Sequence, residues 1–133
     1  MKTLIKTGLA VIALSLCLNA NALAGQLEDG FAAVQRGDYM AAYRLWLPLA
    51  NQGDASAQFN LGLMYNKGQG VPKDYVQAHK WFNLSTANNP EKINREKGVA
   101  GRDLVAGKMT PAQIAEAQKL ARVWKPISSV PGK

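Results

Sequence analysis

Residues 55–89, ASAQFNLGLMYNKGQGVPKDYVQAHKWFNLSTANN, hold two apolar-periodic runs joined by a compact glycine loop. That arrangement suits a helical hairpin and little else. In the first run, about Ala55 to Asn66, Ala57, Leu61, Met64 and Tyr65 share one face, and Gly62 on that face leaves room for a neighbouring backbone to come close. Gly68-Gln69-Gly70-Val71-Pro72 then forms the turn. Asp74 is placed to cap the second helix, whose inner face is Tyr75, Ala78, Trp81, Phe82 and Ser85.

The same plan occurs once before. Gly37-Asp38-Tyr39 closes one helix and opens another that runs to about Gln52 with Tyr39, Ala42, Trp46 and Leu49 at helical spacing. Pro48 lies inside it and predicts a kink, because proline removes a backbone donor and crowds the preceding turn. Gly37 corresponds to Gly68, Asp38 to Asp74, and Ala42 and Trp46 to Ala78 and Phe82. The second copy differs mainly in a longer loop. Repetition at this period means stacked helical hairpins.

The run 57–82, AQFNLGLMYNKGQGVPKDYVQAHKWF, resembles the Sel-one-like repeat, a relative of the tetratricopeptide repeat with a longer inter-helix loop. Leu61, Gly62, Met64, Tyr65, Gly68, Gly70, Val71, Asp74, Ala78 and Trp81 carry the likeness in order and spacing. Residues 26–53 resemble a shorter, tetratricopeptide-like copy. The resemblance implies an all-α fold, a short right-handed solenoid of about three antiparallel helix pairs. It also implies an interaction module that binds a protein or peptide in a concave groove, of an exported bacterial type by the style of its N-terminal leader. By likeness to tetratricopeptide repeats, Phe59, Leu63 and Asn66 line that groove in the second unit, with Glu28, Ala32 and Gln35 in the first. Phe59 and Leu63 would be its apolar anchors, and Asn66 and Lys67 its polar contacts.

The expected organisation is a leader at 1–24, a first helix pair at 25–53, the repeat at 55–89, a capping pair at 90–126 and a flexible tail at 127–133. Asn88-Asn89-Pro90 breaks the chain, and Gly98 and Gly101 weaken the helical pattern of 91–106. Thr110, Pro111 and Gln113 announce a well-capped last helix with Ile114, Ala117, Leu120, Ala121 and Trp124 on one face, stopped by Pro126. Solenoids need such a closing pair.

At the other end, Lys2 and Lys6 precede an uncharged apolar run that ends in small residues, with Ala22-Leu23-Ala24 before Gly25 as the cleavage site and Ala20-Asn21-Ala22 as its alternative. This is the layout of a secretory leader, and it places the protein in the periplasm or outside the cell. Leu16 before Cys17 argues against lipid attachment there, and Cys17, the single cysteine, leaves with the leader. The remaining chain is held by packing without disulfides.

No residues converge on chemistry. His79 is the only histidine and is expected on a half-exposed surface; with no mature cysteine, neither a metal site nor a catalytic residue is proposed, and no cofactor. The glycine loop follows a helix and precedes Lys73-Asp74, which does not suit a phosphate cradle. The aromatic residues lie at core spacing. A β-lactam-hydrolysing activity, linked to cysteine-rich relatives of this repeat, finds neither paired cysteines nor a Ser-x-x-Lys motif here. The formal charge of +7 is concentrated in residues 91–133, where nine bases face four acids. Aromatic–basic interleaving of the kind that binds single strands is missing, so nucleic acid is not an expected partner. Contact with an anionic envelope surface, peptidoglycan or lipid, is the alternative to groove binding.

Overall fold

The computed structural model describes residues 22–128, and all regular structure among them is helical. Helix α1 occupies 22–35. It is followed by α2 (Tyr39–Asn51), α3 (Ala55–Lys67), α4 (Tyr75–Asn88), α5 (Lys92–Ala106) and α6 (Pro111–Val123). The core of the leader, with Cys17, and the chain beyond 128 lie outside the described residues.

Short polar side chains set the helix starts. Asp38, Asp54 and Asp74 accept hydrogen bonds from the backbone N–H of Ala41, Ala57 and Gln77 at 3.0, 2.7 and 3.1 Å. Each cap is worth about 1 kcal/mol. Thr110 and Gln113 form a reciprocal capping box at α6. Helix α2 continues through Pro48, which faces outward, as far as Asn51.

Helix α4 is the hub of the packing. Helices α3, α5 and α6 all lie against it, and α2 meets α3 across the junction of the first two pairs. The last two helices are joined mainly through their common seat on α4. In each of the first two pairs an aromatic ring from the second helix presses onto a glycine of the first. Any Cβ at Gly30 would fall inside the indole of Trp46, whose Nε1–H donates to the Leu27 carbonyl at 3.1 Å. In the next pair, a Cβ at Gly62 would sit 2.7 Å from the ring of Phe82. What approaches Gly62 is thus a ring and not a backbone. Phe82 also meets Gly101 from its other neighbour, α5. The glycines that weaken α5 as an isolated helix are therefore its packing face.

Buried polar groups join three helices. Gln58, fully buried, donates from Nε2 to the Ala50 carbonyl at 3.0 Å and accepts from Asn88 Nδ2 at 3.2 Å. Ser85 Oγ donates to the Ala55 carbonyl at 2.8 Å. The long loop of the second pair also acts across repeats. Gly70 has φ +73°, a left-handed value, and lies so close to α2 that a Cβ there would be 2.6 Å from the Tyr39 carbonyl oxygen.

Two sequence expectations need correction. His79 is not half-exposed; it is 3% exposed, because α5 packs over that side of α4 and brings Arg102 and Asp103 near it. The chain after α6 does not leave as a free tail at 127 either. The Ile127 N–H donates to the Asn51 carbonyl at 2.7 Å, and Trp124 and Pro126 lie over Gly53. That segment covers the end of α2.

Candidate binding groove

Two open cavities of about 190 and 160 Å³ adjoin along α3 and share Phe31 and Asn60 in their walls. Together they form a trough along α3, walled by α1, α4 and α5 at the first cavity and by α1 and α2 at the second. The first cavity is the more polar of the two: Ser56, Asn60, Ser85, Asn89, Asn94 and Lys97 surround Phe31 and Phe59. The second is apolar: Val34, Tyr39, Trp46, Leu63 and Met64 line it, with Lys67 and Gln69 at its rim.

The aromatic walls are held from behind. Phe31 stands edge-on to Trp46 with ring centres 5.2 Å apart, yet is 40% exposed. Phe59 leans on Phe82 at 5.4 Å. Both Phe59 and Leu63 are half-buried and pack against the cluster of Ala78, Phe82 and Val105. They therefore serve the core with one side and the trough with the other.

Asn60 is the unusual member. It is 9% exposed, and its Nδ2 has no hydrogen-bond partner among the described residues. A buried amide left in that state costs about 1–3 kcal/mol.

The other residues anticipated for the groove are distributed differently. Lys67 is at the rim of the apolar cavity. Asn66 lines neither cavity and accepts from Lys108 Nζ at 3.5 Å. Glu28 and Gln35 are exposed on α1 and line neither. Phe31, Asn60 and Lys97 were not anticipated. A signal for Phe31 was present: aligning Gly30 with Gly62 puts Phe31 at the position of Leu63.

Three ionisable groups are shifted elsewhere in the fold, each chiefly by burial; one is the Lys80 ammonium, pushed down by burial with Asp74 opposing. The Tyr65 phenol is pushed up by burial and by its bond to Tyr43, the two hydroxyls lying 3.0 Å apart. The His79 imidazole is pushed below its ordinary value by burial and then by Arg102, with Asp103 opposing. None of these groups faces the trough. Among the described residues, no three His, Cys, Asp or Glu side chains gather to hold a metal ion.

The family model described as Sel1 repeat matches this chain twice, at residues 19–54 and 55–90. The junction between the matches coincides with the α2–α3 turn. DAP3-binding cell death enhancer 1 of Rattus norvegicus and that of Mus musculus are each 37% identical to it over 49 residues. That stretch is 37% of this chain and 10% of the relatives, so the chain spans about a tenth of the length of the curated relatives it matches. No solved structure matches.

Proposed function

The chain belongs to the Sel1 repeat family, and from that premise we propose that it is an exported, non-enzymatic docking module that takes a polypeptide segment into the trough along α3. Sel1 repeats are in general interaction scaffolds without catalytic function, and the printed name of the mammalian relatives also describes binding to another protein. The observation that carries the reading is the continuity of the two cavities through Phe31 and Asn60. An exposed aromatic edge in a continuous trough is what a bound peptide would cover.

Export rests on the leader layout of residues 1–24. It is supported by the exposure of every residue from 22 to 26, since cleavage after Ala24 would remove only the outer end of α1. Leu27, the first residue of α1 packed against the core, would stay.

The test compares the wild-type protein with Phe31→Asp in capture from an envelope extract, with circular dichroism to show that both are folded. Proteins held by the wild type and lost by the variant support the groove. An identical catch from both proteins overturns it. N-terminal sequencing of the fractionated protein tests export: a start at Gly25 or Leu23 supports it, and a retained Met1 in the cytosol overturns it.

A further inference from the structure

We propose that the segment bound in the trough is an extended peptide carrying an acidic side chain two to four residues from a large apolar one. The acid seats beside Lys97 and Ser56, and the apolar side chain beside Leu63 and Met64. This rests on the groove reading above and adds the chemistry of the ligand.

The two cavities differ in chemistry. No Asp or Glu lines either of them. In the polar cavity, hydrogen-bonding capacity is weighted toward donors. Lys97 contributes an exposed ammonium and Ser56 an exposed hydroxyl. Glu91, which accepts from Asn94 Nδ2 at 2.8 Å, is outside the lining of both cavities. Ser85 is also committed, donating to Ala55. A carboxylate is the group that accepts several such bonds at once and neutralises the lysine.

In the apolar cavity, Val34, Trp46, Leu63 and Met64 offer nothing but dispersion and water exclusion, so an aliphatic or aromatic side chain fits there. Its rim lysine, Lys67, adds to the same positive field.

Spacing follows from α3. From Ser56 to Lys67 the helix advances about 16 Å at 1.5 Å per residue. An extended chain covers that length in about five residues. The mid-points of the two cavities lie about 8 Å apart along α3, about two to three residues of strand. Because the two cavities run into each other at Phe31 and Asn60, the peptide passes along the trough, and the acid is a side chain within it.

Panning a library of short displayed peptides over the purified protein tests this, followed by anisotropy titration of the enriched sequence synthesised with an amidated C-terminus. The expected result is enrichment of Asp or Glu two to four residues from Leu, Ile, Phe or Met. Replacing the acid by its amide then weakens binding about tenfold, as does Lys97→Glu. Lys92→Glu, on the same helix but outside both cavities, leaves binding unchanged. Three results overturn the inference while leaving the groove in place: enrichment of neutral or basic sequences, equal binding of the amide peptide, or binding that needs a free C-terminal carboxylate. If no enriched peptide loses affinity for Phe31→Asp, the groove reading falls, and this inference falls with it.

Discussion

The two repeats build the same lock and use it differently. In the first, Trp46 presses onto Gly30 of its own pair and fastens itself by an indole bond to Leu27. In the second, Phe82 carries no polar handle and is clasped from both sides, by Gly62 of α3 and Gly101 of α5. One ring closes a hairpin; the other also joins that hairpin to the next helix. The second pair is thus the middle of the stack, and α4 rather than any helix of the first pair is where its stability is concentrated.

Replacing the rings separates the two roles most strongly. Phe82→Ala and Trp46→Ala should each cost about 3–5 kcal/mol, a large part of the ~5–15 kcal/mol that holds a domain together. Their reach should differ. In native-state hydrogen exchange, Phe82→Ala should strip protection from α5 as well as α3 and α4, whereas Trp46→Ala should expose α1 and α2 and leave α5 protected. Equal loss of α5 protection in both variants would remove the distinction.

The loops give the next contrast. Gly37 and Gly70 both have positive φ, at 77° and 73°. Nothing lies within 4 Å of a Cβ at Gly37, while one at Gly70 would meet the Tyr39 carbonyl carbon and oxygen. Gly37→Ala should therefore cost only the left-handed penalty, about 1 kcal/mol. Gly70→Ala adds a backbone clash and should cost about 2–3 kcal/mol. Urea denaturation of the two single variants checks this, and equal midpoints would show that the long loop does not brace α2.

Gly101→Ala gives a smaller effect whose sign is the informative part. Helix propensity alone predicts stabilisation by about 1 kcal/mol. Crowding of the Phe82 ring, 2.9 Å from the new Cβ, predicts a loss of about 1–3 kcal/mol. The net expectation is a loss of about 1 kcal/mol in thermal or urea unfolding. A more stable variant would mean that α5 does not rest on that ring.

These contrasts also mark what a reader of the sequence could reach. Caps, apolar stripes and the repeat of Gly-Asp-Tyr are local, and they located the helices, including the boundaries at Asp38, Asp74 and Thr110. Gly98 and Gly101 read as helix weaknesses because propensity is a property of one segment, while their purpose is set by α4 lying against them. In the groove, Phe59 and Leu63 were accessible through the likeness to tetratricopeptide repeats. Lys97 was not, since it comes from a helix outside the recognisable repeat. The burial of Asn60 was equally hidden: a polar residue beside Leu61 carries no sign of whether α1 and α5 will close over it.

His79 extends the comparison to a single position. Placing Ala42 on Ala78 puts Tyr43 opposite His79 in the repeat. Tyr43 is half-buried and finds the Tyr65 hydroxyl at 3.0 Å, while His79 is buried with Nδ1 unpartnered among the described residues. Burial first, and Arg102 second, lower its proton affinity in the folded state, against a partial counter-effect from Asp103. The unfolded chain then binds the proton more readily, so folded stability is fully present above the ordinary histidine value of about 6.5 and falls as pH drops through it. Melting temperature should decline from pH 7 toward pH 5, before the carboxylates titrate. His79→Gln, which cannot take up a proton, should flatten that decline relative to its own value at pH 7. The same slope in both proteins would assign the pH dependence to other groups and leave His79 as packing alone, the role its counterpart's ring already plays in the first repeat.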